Sequence, residues 1–172
     1  MIEFQTNKAE VIRDVNQFID EWNSDTSTIT VHTSGSTGTP KKITLQKKHL
    51  RTSAQMTGEH LKLKPKSTAL LCLPISTIAG KMMVVRSLVL ELNLIVVEPS
   101  KSPLNDCSQK IDFAAMVPMQ VLNSIENNKE KFKKIETIII GGAPISPSLI
   151  KQISGCHSNA YQTFGMTETI SH

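Results

Sequence analysis

Ala69-Leu-Leu-Cys-Leu73, stopped by Pro74, is followed by a mainly apolar run from Ala79 to Leu92 and then by Leu94-Ile-Val-Val97, ended by Pro99. The two short runs have the length of strands, and the longer stretch between them has the length of a helix. Strands apolar at every position must be covered on both faces, which is the signature of a parallel sheet with helical crossovers. The reading for this stretch is therefore a β-α-β unit.

The same pattern extends in both directions. Upstream, Val11, Ile12, Val15, Phe18, Ile19 and Trp22 recur at helical spacing and predict an amphipathic first helix. Ile29-Thr-Val31 and the alternating Lys42-Ile-Thr-Leu-Gln46 read as two strands flanking a loop, with a helix from about His49 to Leu61 after them. Downstream, a polar connection from Ser100 to Lys110 leads to a strand at Phe113–Val117 and a helix at Met119–Asn127. Ile135–Ile140 is a strand ending in Gly141-Gly142, Ser146–Ile153 a helix, and Asn159–Phe164 a last strand. Alternation of this kind predicts an α/β fold with a mostly parallel sheet covered by helices. In such sheets ligands collect beyond the carboxyl ends of the strands. The loop at 33–40, the Pro74–Gly80 segment, the Gly141-Gly142 turn and the Gly165–Glu168 segment are expected at that edge.

Composition narrows the class. In 172 residues, 39% are hydrophobic and 20% charged, which suits one soluble globular core and excludes a fibrous or disordered chain. The start, Met1-Ile-Glu-Phe-Gln-Thr, lacks the basic and apolar segments of a secretory signal. No apolar run approaches membrane-spanning length, and the expected location is the cytoplasm. Cys72, Cys107 and Cys156 are widely spaced with no CxxC pair, which argues for free thiols and against zinc. The net charge of +4 comes without aromatic interleaving, since the chain has one Trp and one Tyr; nucleic-acid binding is not expected. The lysine-rich run from Lys129 to Lys134 reads as a solvated helix end.

Thr33-Ser34-Gly35-Ser36-Thr37-Gly38-Thr39-Pro40-Lys41 carries the chemistry. Two glycines let successive N–H groups converge on an anion, Ser34, Ser36 and Thr37 add hydroxyls, and Lys41 adds a point charge. This is an inventory for phosphate. It differs from a Walker loop because Pro40 precedes the lysine and a strand follows where a helix would begin.

That stretch resembles the phosphate loop of the adenylate-forming enzymes, a superfamily of acyl-CoA synthetases, luciferases and peptide-synthetase adenylation domains. Phe164-Gly165-Met166-Thr167-Glu168, about 130 residues further on, resembles the same family's aromatic-Gly-x-Thr-Glu motif. The resemblance implies an enzyme that joins a carboxylic acid to AMP, releases pyrophosphate and passes the acyl group to CoA, with ATP and Mg²⁺ required. It places Thr33, Ser34, Gly35, Ser36, Thr37, Gly38 and Lys41 at the phosphates, Thr167 at the α-phosphate and Glu168 on Mg²⁺; Lys41, Thr167 and Glu168 are the implied catalytic residues. Gly141-Gly142-Ala143-Pro144 resembles the family's glycine turn against adenine and acid, with Thr163, Phe164 and Gly165 adding to the nucleotide site. Tyr161 would flank adenine or simply fill the core.

Leu73-Pro74-Ile75-Ser76-Thr77-Ile78-Ala79-Gly80 stands where the family commonly reads Leu-Pro-x-x-His-x-x-Gly, so Thr77 replaces the histidine. Thr77, Gly80, Arg86 and Gly142 are the implied acid-binding residues. Arg86 lies mid-helix between apolar neighbours, where a guanidinium needs an anion or a route to water. This segment and Gln162–Thr169 resemble the o-succinylbenzoate–CoA ligases of menaquinone synthesis, whose substrate has a second carboxylate. An ion pair with a protein carboxylate is the structural alternative for Arg86. The resemblance also implies that residues 1–172 are an incomplete AMP-binding N-terminal domain, inactive alone, with the ribose-binding Asp and the C-terminal domain lying beyond the chain. A ligase for another acid, a nonenzymatic nucleotide-binding module and a homo-oligomer remain open at this level.

Overall fold

The computed structural model describes residues 1–33, 41–105, 107, 109–157, 159–165, 167 and 170, with the side chains of His32, Thr33 and Lys41 outside the description. Among the described residues, six parallel strands form one sheet in the order β1-β5-β4-β6-β7-β8. They are β1 (Ile2–Phe4), β4 (Thr68–Leu71), β5 (Asn93–Val96), β6 (Phe113–Met116), β7 (Thr137–Ile140) and β8 (Ala160–Gln162). Helices α1 (Ala9–Asn23), α2 (Lys47–His60) and α3 (Ile78–Val89) pack on one face; α4 (Pro118–Asn127), α5 (Lys129–Lys133) and α6 (Pro147–Ser154) pack on the other.

The strand residues explain the two-sided burial. Ala69, Leu71 and Leu73 join the core under α1 to α3, whereas Leu70 and Cys72 join the opposite core. Leu94 and Val96 against Ile95 and Val97, and Phe113 and Ala115 against Ala114 and Met116, divide in the same way. A period of two with both phases apolar leaves no face fit for water.

β2 (Thr28–Thr33) and β3 (Lys41–Gln46) form a separate antiparallel ribbon, with Thr33 opposite Lys41 and Thr28 opposite Gln46. The two strands stand outside the parallel sheet, and the loop at 33–40, which the sequence reading placed at the sheet's carboxyl edge, lies beyond Thr33 outside the described residues. The cause of the strands' separation is visible in the strands themselves. Ile29, Val31 and Leu45 are buried between polar neighbours, so each strand has one apolar face and can cover a core only from its side. β1 escaped the sequence reading: three residues carry no measurable period, and pairing to β5 in parallel secures them. The lysine-rich run read as a solvated helix end forms α5, and its Phe132 is fully buried.

Candidate functional site

The loops leaving β4, β6, β7 and β8 meet at the carboxyl edge of the sheet. After β4, Pro74 begins a turn that delivers the chain to α3. Thr77 caps that helix: its hydroxyl accepts from the Gly80 amide at 3.1 Å and donates to the Pro74 carbonyl at 2.7 Å. Gly80 is buried, and a Cβ there would lie 2.2 Å from the Pro74 oxygen. Both residues named as acid-binding therefore already have a local structural duty: they hold the 74–80 segment rigid.

Arg86 lies in the last turn of α3 and is only 2% exposed. Its Nε has no hydrogen-bond partner among the described residues, and Nη1 reaches only the Met83 sulfur at 3.9 Å. No described carboxylate forms an ion pair with it. Burial pushes the guanidinium down to about 10, because a charge removed from water without a counter-charge is destabilised. The protein ion pair offered as the alternative for Arg86 is therefore absent among the described residues.

After β7, Gly141 lies against Thr163: a Cβ at Gly141 would meet the Thr163 hydroxyl at 2.7 Å. The amide and hydroxyl of Thr163 both donate to the Ile140 carbonyl, at 2.8 and 3.3 Å. Gly142 takes a φ of +82° and packs against Val117 at the end of β6; the left-handed backbone there favours glycine. Ala143, Gly165 and Phe164 are exposed, Phe164 by 83%. The structure thus gathers the glycine turn with Thr163 and adjoining Phe164. Thr167 accepts from the Ile170 amide at 3.2 Å. Ser34, Gly35, Ser36, Thr37, Gly38 and Glu168 lie outside the described residues; for Thr33 and Lys41 the backbone places the two ends of the loop side by side.

Beside this edge, an open groove of about 950 Å³ separates α2 from β8. Its lining includes His49, Thr52, Ser53, Met56 and His60 of α2, together with Ile139, Tyr161, Thr163 and Phe164. His60 and Tyr161 meet edge to face with ring centroids 6.1 Å apart. The α2 residues recur at helical spacing, a signal present in the sequence but obscured by their mixed polarity. Sequence reasoning also passed over Gln120, a buried amide on α4. Its sequence signal is a Gln at the third helical position after Val117-Pro118, where such side chains reach back to the helix start.

Comparison with known proteins follows this geometry. An acyl-CoA synthetase (AMP-forming)/AMP-acid ligase II-like protein from Dyadobacter fermentans superposes with a TM-score of 0.89 at 40% identity, covering 96% of this chain and 48% of that one. O-succinylbenzoate coenzyme A synthetase of Bacillus subtilis, solved with ATP and magnesium, shares the fold at a TM-score of 0.73 and 23% identity, over 83% of this chain and 31% of that one. Among curated sequences, the 2-succinylbenzoate–CoA ligase of Enterococcus faecalis is 27% identical over 146 residues, 82% of this chain and 30% of the relative. That of Listeria monocytogenes is 24% identical over 169 residues, 95% of this chain and 36% of the relative. The chain thus spans about a third of the length of the curated relatives it matches. The model of the AMP-binding enzyme family matches residues 3–172, and this chain belongs to that family.

Proposed function

We propose that this chain supplies the ATP- and acid-binding part of an AMP-forming acid–CoA ligase, and that its acid is o-succinylbenzoate. The observation that carries the choice of acid is Arg86: a guanidinium buried in an apolar helix with no carboxylate partner among the described residues. A diacid fits such a site, because one carboxylate can react while the other satisfies the arginine. The names of the curated relatives point the same way, and three free thiols suit a reducing, cytoplasmic setting.

In this reading one carboxylate oxygen of the acid bonds to the α-phosphorus of ATP, the bond to the β-phosphate bridge breaks, and pyrophosphate leaves. CoA thiol then displaces AMP to give the thioester. The backbone of the 33–41 loop, its hydroxyls and Lys41 hold the leaving phosphates, and charge-assisted donors of this kind act most strongly where charge develops. Thr167 and Thr163 stand on the α-phosphate side, with Gly141 and Gly142 giving close approach for adenine and acid. Mg²⁺, when bound, neutralises phosphate charge. Among the described residues no group of three or more His, Cys, Asp or Glu could cage a metal. Mg²⁺ at a nucleotide is held mainly by phosphate oxygens and water with one or two carboxylates, and Glu168 is the candidate protein ligand.

The test is a panel of acids offered to the enzyme carrying this chain, with pyrophosphate release as the readout. Release with o-succinylbenzoate and not with benzoate supports the assignment. A preference for a monocarboxylic acid replaces the substrate, and ATP and Mg²⁺ binding with no acid consumed anywhere in the panel reduces the chain to a nucleotide-binding module.

A further inference from the structure

Gln120 is 5% exposed and uses its whole amide. Its Nε2 donates to the Cys72 carbonyl and to the Ser100 carbonyl, both at 2.9 Å, while its Oε1 accepts from the Val117 amide at 3.2 Å. The orientation of the amide is settled by its partners. Turned over, the oxygen would face two carbonyls and the NH₂ group would face an N–H.

The three partners are the places where the chain leaves three neighbouring strands. Cys72 follows β4 immediately before the Leu73–Gly80 segment, Ser100 follows β5 by way of Pro99, and Val117 follows β6. Each tie reaches further. Pro74 is locked to Thr77 and overlies Gly80, and Val117 is the side chain against which Gly142 packs. One buried amide thus couples the segment before α3 to the glycine turn after β7.

We propose that Gln120 is a positioning residue that sets the acid-side wall of the site by pinning the exits of β4, β5 and β6 together. It touches no reacting atom; it acts through Cys72 and Val117 on the 73–80 segment and on Gly142. This rests on the ligase reading above for what the wall encloses, while the clamp itself stands on the hydrogen bonds. The strands that flank the loop at 33–41 form a separate hairpin, so loosening the clamp reaches ATP only through the Gly142 turn and weakens acid binding more.

Gln120→Met keeps the length and removes every hydrogen bond; Gln120→Asn keeps an amide too short to span all three partners. In the enzyme carrying this chain, either variant should raise KM for the acid roughly ten-fold, less than the hundred-fold that a 1 Å misplacement at the reacting centre costs. KM for ATP should rise far less than KM for the acid, and amide hydrogen exchange over Leu73–Gly80 should quicken. Asn serves as the test if the Met variant does not fold. Parallel rises for acid and ATP in a folded variant, or unchanged exchange over Leu73–Gly80, would overturn the clamp. If the wild-type enzyme uses no acid at all, the ligase reading fails, and the exchange measurement alone then decides for or against Gln120.

Discussion

Gln120 and Arg86, buried on opposite faces of the sheet, meet their hydrogen-bonding needs in opposite ways. On the face covered by α4 to α6, Gln120 has all of its hydrogen-bonding capacity taken up by backbone groups. On the face covered by α1 to α3, Arg86 is as deeply buried, carries a full charge and has no described counter-ion. A satisfied buried amide stabilises and specifies a fold, whereas a buried charge without a partner destabilises it. A fold that tolerates the second kind of residue gains something other than stability from it. In this account the gain is recognition of a ligand carboxylate.

The largest expected effect breaks the comparison on the Arg86 side. Arg86→Lys replaces a planar fork by a point charge. In steady-state assays the use of o-succinylbenzoate should fall by about 2–5 kcal/mol in kcat/KM, the scale for losing a buried charged contact. Use of a monocarboxylic analogue should change little. Equal losses for both acids would return Arg86 to a structural role.

A smaller effect sharpens the comparison through stability. Gln120→Met leaves the Cys72 carbonyl and Val117 amide without their side-chain partner, which should cost about 1–3 kcal/mol in denaturant unfolding. Arg86→Met removes an uncompensated charge and should cost nothing, or stabilise the fold. The two substitutions introduce the same side chain on opposite faces, so their difference in sign is the diagnostic.

The smallest effect is read at Cys72, whose thiol donates to the Ala115 carbonyl and lies 4.0 Å from the Gln120 oxygen. Burial pushes this thiol from 9.0 up to about 12. Above pH 9 the unfolded thiol loses its proton while the folded one keeps it, so stability falls as pH rises from about 9 to about 12. Cys72→Ala should flatten that part of the pH–stability curve. In the wild type, iodoacetamide should modify the half-exposed Cys156 before the buried Cys72, and Gln120→Met should narrow the gap. Labelling of Cys72 as fast as Cys156 in the wild type would contradict the burial described here.

Much of this arrangement was legible in the residues. The runs Ala69–Leu73, Leu94–Val97, Phe113–Val117 and Ile135–Ile140 announced parallel strands because they are short and mainly apolar, and each overlaps a strand of the sheet. The convergence of Pro74–Gly80 and Gly141-Gly142 followed from that topology. Other features depend on packing that no local pattern reports. β1 is three residues long and exists because β5 offers it an edge. The hairpin's separation from the sheet was written in its alternation, since each of its strands has one apolar face. Arg86 stood out in the sequence as a cation among apolar residues, but only the structure reveals that no described carboxylate meets it. Gln120 was invisible for the converse reason: a glutamine near a helix start is ordinary until its three partners are known to come from three strand exits.

The central proposal is that Arg86, without a counter-ion among the described residues, serves the second carboxylate of the acid. The most direct measurement is thermal unfolding of the enzyme carrying this chain, with and without o-succinylbenzoate, in the presence of a nonhydrolysable ATP analogue. At a hundred times Kd, a ligand bound only by the folded state adds about 2.7 kcal/mol, which appears as a clear rise in Tm for the wild type. Arg86→Met should melt no lower than the wild type without the acid and should lose that rise when the acid is added. A variant that melts well below the wild type without ligand, or one that keeps the full rise, would contradict the account.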